Sequence, residues 1–80
     1  MNLKPVATEK AIMKIELENI LTFQTDKRTN KTEIKKEIES LFDVKIDKIR
    51  TSIRNNKKYV YAKLNKDFLA IDLATKLGLM

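Results

Sequence analysis

The spacing of apolar positions changes along this chain, from helical periodicity to alternation and back. Residues 1–7 read as an extended lead-in, because Pro5 holds Lys4 in extended geometry and no helix runs through that point. Thr8 can cap a helix whose first turn opens with Glu9, where the helix dipole favours a carboxylate. Ala11, Ile12 and Ile15 give that helix an apolar stripe, and the spacing predicts it over about 8–17. MKIEL taken alone also fits a strand. NILTFQT, residues 19–25, alternates Leu21 and Phe23 with Thr22 and Gln24, the pattern of a half-buried strand. Asp26 to Thr29 is a polar turn.

Asn30 followed by Glu33 forms an Asn version of the capping box. Ile34, Ile38, Leu41 and Phe42 then share a helical face, predicting a helix from 31 to about 42 that stops at Asp43. Asp tolerates the left-handed conformation better than most residues. Val44 to Ile53 reads as a strand whose parity slips. Val44 and Ile46 share one phase, Ile49, Thr51 and Ile53 the other, and a bulge near Asp47–Lys48 reconciles them. Arg54 to Lys58 reads as a five-residue connection into a strand at Tyr59–Leu64, with Val60, Ala62 and Leu64 facing in. Leu69, Ala70, Leu73, Ala74 and Leu77 line one arc of a final helix ended by Gly78, with Ile71 outside it. The predicted order is α-β-α-β-β-α, an α+β fold with helices packed on a small, largely antiparallel β-sheet. Nothing divides residues 1–80 into more than a single domain.

Composition narrows the chemistry. The 80 residues contain no Cys and no His, and a single Gly. That removes thiolate nucleophiles, cysteine and histidine metal sites, the commonest general base, and glycine loops that cradle phosphates. Ser40 and Ser52 have no histidine to activate them, and no pair of acids sits in an apolar setting, so no catalytic site is expected and no cofactor. Glu33, Glu37 and Asp72 read as ordinary i,i+4 partners of neighbouring lysines. No apolar run approaches the ~18 residues of a membrane span, and MNLKPVATEK lacks the apolar core of a secretory signal, so an intracellular chain without membrane insertion is expected.

Seventeen Lys and Arg against eleven Asp and Glu leave +6, with a sequence pI near 9.7. Residues 44–66 alone carry a balance of +7, from Lys45, Lys48, Arg50, Arg54, Lys57, Lys58, Lys63 and Lys66 against Asp47. A second cluster, Lys27, Arg28 and Lys31, precedes the middle helix. Such an excess suits a polyanion. The rival reading is that lysines guard exposed sheet edges. Tyr59 and Tyr61 share the strand face opposite Val60 and Ala62, where aromatics interleaved with cations could stack on unpaired bases. Helices covering that face would bury them instead, and burial of at least one is the expectation.

Four segments, in order, carry a family resemblance. Lys4-Pro5-Val6-Ala7-Thr8-Glu9-Lys10-Ala11 resembles the N-terminal signature of the universal ribosomal large-subunit protein twenty-three family, found at the exit of the nascent-chain tunnel. Asp26 to Lys35 resembles its second signature, and Phe42-Asp43-Val44-Lys45-Ile46 with Lys48-Ile49-Arg50-Thr51 its third. The ending Ala74-Thr75-Lys76-Leu77-Gly78-Leu79-Met80 is similar to the close of archaeal members. The resemblance implies a non-enzymatic, cytoplasmic component of the large ribosomal subunit that binds large-subunit rRNA. It also implies neighbouring ribosomal proteins as partners, and a share in the docking platform for the signal recognition particle and other nascent-chain factors. Carried over by position, the RNA contacts are Lys4, Thr8, Lys10, Lys27, Arg28, Asn30, Lys31 and Lys35, then Arg50, Thr51, Arg54, Asn55, Lys57, Lys58 and Tyr59. Bacterial members carry a long hairpin extension, for which the Arg54–Lys58 connection is too short, so the chain resembles the archaeal type. Where the family usually has Gly after the middle helix, this chain has Asp43.

Two other readings compete. A free reader of single-stranded RNA of the RRM kind needs a Gly-and-aromatic signature, and this hairpin has no Gly and only two tyrosines. A protein-interaction domain of similar α+β architecture is the other, since fold does not fix function.

Overall fold

In the computed structural model, which describes residues 3–79, the chain runs β1 (Lys4–Pro5), α1 (Glu9–Glu18), β2 (Ile20–Thr25), α2 (Lys31–Phe42), β3 (Ile46–Arg54), β4 (Lys57–Leu64) and α3 (Ala70–Lys76). Met1, Asn2 and Met80, parts of the expected lead-in and of the family-like ending, lie outside the described residues. The caps read from the sequence set the first two helices. The Thr8 hydroxyl accepts the Ala11 N–H at 3.2 Å, and Asn30 Oδ1 accepts that of Glu33 at 2.9 Å. MKIEL is therefore helical. Asp43 ends α2 at φ 54°, in the left-handed region expected of it. At the end of α3, Gly78 at φ 76° lets its own N–H reach Thr75 O and the Leu79 N–H reach Ala74 O, the paired closure of a Schellman motif.

The sheet is antiparallel throughout, in the order β1-β2-β4-β3. The register between β3 and β4 shifts between Ile46 and Lys48, where the parity slip placed a bulge. One sheet face carries Leu21, Phe23, Val60, Ala62, Leu64 and Ile46. These form a single core with Ile15 of α1, Ile34 and Ile38 of α2, and Ala70, Leu73 and Ala74 of α3. Phe23 and Phe42 stack at 5.9 Å between ring centroids.

Several expectations are corrected. The lead-in contains a short strand, β1, because Lys4 and Pro5 pair with Gln24 and Phe23. Strand β3 starts at Ile46 rather than Val44. The hairpin connection is two residues, not five. Asn55 and Asn56 both take positive φ, 51° and 63°, the signature of a type I′ turn, so Lys57 and Lys58 belong to the ladder. Leu41 is 60% exposed, because the core row of α2 follows the i,i+4 line Ile34–Ile38–Phe42 and turns Leu41 away from it. Leu69 is 55% exposed, since it precedes α3 in extended backbone rather than lying on its arc. The ion pairs expected of Glu33, Glu37 and Asp72 are not formed; among the described residues the pair within 4.0 Å is Lys14–Glu18.

Candidate nucleic-acid interface

Strand alternation sorts the basic residues onto faces. Opposite the core, the pairs Lys4↔Gln24, Gln24↔Tyr59, Thr22↔Tyr61, Ile20↔Lys63, Arg50↔Tyr61, Ser52↔Tyr59 and Arg54↔Lys57 lie across one sheet face, with Lys48 opposite Lys63. These strand positions hold the cations Lys4, Lys48, Arg50, Arg54, Lys57 and Lys63 and no carboxylate. The N-terminal half of α1 borders the same face, with Lys14 Nζ 5.5 Å from the Tyr61 ring centroid. Neither tyrosine is buried, contrary to expectation; both are half-exposed, because the core helices pack on the other side of the sheet. Lys4, Lys48, Arg50 and Arg54 lie on the edge strands β1 and β3, where edge protection also accounts for them, but it does not account for Lys63. Lys63 is paired on both sides, with Ile20 of β2 and Lys48 of β3.

Three depressions mark the face and its rim. The largest, about 740 Å³, lies between the β2–α2 turn and the hairpin tip, where Lys4, Lys27, Arg28 and Lys57 converge with Asn56 and Gln24 and with the carboxylates of Asp26 and Glu33 at the turn. A second, about 250 Å³, brings Thr8, Lys10 and Lys14 of the α1 segment against Arg54, Asn55, Tyr59 and Tyr61. The third, about 120 Å³, gathers Lys48, Arg50, Tyr61 and Lys63 beside Glu18. Buried threonines line the first two, Thr25 and Thr22, and the hydroxyls of both lack a hydrogen-bond partner among the described residues.

Within the second depression the Arg54 guanidinium lies 5.2 Å from the Tyr59 ring centroid, and its Nη2 donates to the Tyr61 hydroxyl at 2.5 Å. Lys14 is held between the Tyr61 ring and Glu18, with 3.4 Å to Oε2.

Of the residues expected to contact RNA, the structure therefore brings together Lys4, Thr8, Lys10, Lys27, Arg28, Arg50, Arg54, Asn55, Lys57 and Tyr59. Lys31 stands exposed on the first turn of α2, and Asn30 spends its side-chain oxygen on capping that helix. Lys35 is exposed further along α2. Thr51 and Lys58 are not with the others. Thr51 pairs with Val60 on the core face, and Lys58, two residues before Val60, shares that side and donates its ammonium to Thr29 O. The expectation omitted Tyr61, Lys14, Lys48 and Lys63. Three of them could have been found from parity alone, since Lys48, Tyr61 and Lys63 share the phase of Arg50 and Tyr59; Lys14 follows Lys10 at i+4.

Compared with known proteins, residues 1–69 match the family described as Ribosomal protein L23. The chain is 48% identical over 77 residues to the large ribosomal subunit protein uL23 of Trypanosoma brucei brucei, covering 95% of this chain and 47% of that one. It is 38% identical over 76 residues to uL23 of Saccharomyces cerevisiae, covering 94% of this chain and 54% of the relative. The chain thus spans about half the length of the curated relatives it matches.

Proposed function

The chain belongs to the ribosomal protein L23 family, whose members are structural and non-enzymatic, and from that premise we propose that residues 1–80 form one rRNA-binding domain of the cytoplasmic large ribosomal subunit, near the exit of the polypeptide tunnel. The observation that carries the proposal is the open sheet face, whose strand positions hold six cations and no carboxylate, with two half-exposed tyrosines at its centre. Lysines and arginines on it neutralise phosphates. Asn55, Gln24 and Ser52 offer neutral hydrogen-bonding groups that fix register on a folded RNA, which proteins recognise largely by shape.

An apolar patch adjoining the cationic face at Lys63 and Glu18 supports protein partners. Leu17, Leu69 and Ile71, all exposed, line a depression where α1 meets α3. Neighbouring ribosomal proteins, the signal recognition particle and other nascent-chain factors are the partners we assign to that patch. The arrangement leaves the sheet for RNA.

The test is binding of the purified chain to large-subunit rRNA fragments, titrated with salt beside a shuffled RNA of equal length. Preference for the native sequence that persists at high salt supports a shaped site. Equal and steeply salt-dependent binding to both RNAs overturns the reading, because only counterion release would remain.

A further inference from the structure

We propose that Arg54 is a pre-oriented clamp for a single RNA phosphodiester, and that Tyr59 and Tyr61 serve it as positioning residues instead of stacking on bases. This rests on the rRNA-binding reading and assigns one phosphate-binding position within it. A guanidinium on a free side chain must lose rotamer freedom before it can form two parallel hydrogen bonds to a phosphate. Here that cost is met within the fold. The Tyr61 hydroxyl accepts from Nη2 at 2.5 Å, and the Tyr59 ring lies 5.2 Å from the guanidinium carbon. One nitrogen is occupied by the phenol, leaving the other guanidinium donors for a ligand.

The surroundings fit an anion. Arg54 shares its 250 Å³ depression with Lys10 and Lys14 and with the neutral polar groups of Asn55 and Thr8, and no carboxylate lines it. Glu18 engages Lys14 and lines a different depression. The tyrosines are half-exposed but not free. Tyr59 offers a face to Arg54, and Tyr61 has Lys14 over its ring and Arg54 on its hydroxyl. A base could stack only by displacing these cations. The same three contacts thus argue for a phosphate and against a base.

Tyr61→Phe separates the two roles, because it removes the hydroxyl and keeps the ring. With the rRNA fragment that the wild-type chain holds to the highest salt, Tyr61→Phe should weaken binding about three- to ten-fold, the worth of one positioning hydrogen bond. Arg54→Lys, which keeps the charge and loses the fork, should weaken it at least as much. The double variant should be no weaker than Arg54→Lys alone, and Tyr61→Phe should leave the salt slope unchanged, since no charge is lost. In the free chain, the Arg54 side-chain N–H signals should exchange slowly with water and become fast in Tyr61→Phe, at an unchanged melting temperature. Wild-type affinity in Tyr61→Phe, full additivity with Arg54→Lys, or fast exchange in the wild type overturns the clamp while leaving rRNA binding standing. Failure of the wild-type chain to prefer rRNA would instead overturn the broader reading, and the clamp with it.

Discussion

Asn19 does the work of several residues. It ends α1 at φ 58°, a conformation that costs most L-residues about 1–2 kcal/mol and that Asn tolerates. Its side chain then donates to Leu64 O at 3.3 Å and Phe68 O at 2.9 Å, and its Oδ1 accepts the Ala70 N–H at 2.6 Å. That last bond caps α3, whose own N-cap residue is Leu69 and has no side-chain acceptor. One amide thereby ties α1, the end of β4 and the start of α3. Asn19→Ala should lower stability by about 2–4 kcal/mol, from three lost part-buried hydrogen bonds and a strained φ. Asn19→Gly should recover only the backbone part. Denaturant unfolding of the three chains measures both steps, and equal stabilities of Gly and Ala variants would remove the conformational share of the account. Asp43 is the simpler case. With φ 54° and exposed, it should tolerate Gly without loss, whereas Asp43→Ala should cost about 1 kcal/mol in the same assay.

Elements show which information was local. The caps at Thr8 and Asn30, the left-handed stop at Asp43 and the bulge after Ile46 were legible because each depends on residues within a few positions of one another. The two-residue β1 was not, since its pairing with Gln24 and Phe23 is set by tertiary contact rather than by a hydrophobic period. Polar Lys57 and Lys58 hid the true hairpin length, because an exposed strand end looks like a loop in composition. Only Asn55–Asn56, both able to adopt positive φ, carried the signal. A turn of this type favours Gly at its second central position. Asn56→Gly should therefore stabilise the hairpin by about 0.5–1 kcal/mol, read as a raised melting temperature; a lowered one would contradict a type I′ turn. The same alternation sorts the lysines. Lys57 lies on the open face and Lys58 beneath it against Thr29. Lys57→Gln should thus reduce the salt slope of RNA binding by about one, and Lys58→Gln should leave the slope alone while lowering stability. The reverse ranking would place the RNA on the helical side.

At the scale of the molecule, the fold separates two surfaces that the sequence interleaves. Residues 44–66 look uniformly basic in order, yet the pairing of β3 with β4 sends Arg50, Arg54, Lys57 and Lys63 to one side and Ile49, Thr51 and Lys58 to the other. The helices fill the core side, and three of the exposed apolar residues, Leu17, Leu69 and Ile71, gather at the α1–α3 junction. Long-range contacts of this kind leave no local signal. Exposed Leu41 and Leu69 show the limit, since helical spacing alone placed both in the core. The cationic face is the claim on which the functional account depends. It is tested most directly by following the amide signals of the chain as a large-subunit rRNA fragment is titrated in at moderate salt. The account predicts shifts concentrated on Gln24, Arg50, Ser52, Arg54, Lys57, Tyr59, Tyr61 and Lys63 and on the turn at Lys27–Arg28, with Ile71 and Lys76 of α3 unmoved. Shifts centred on α3, or spread evenly over every lysine, would contradict it.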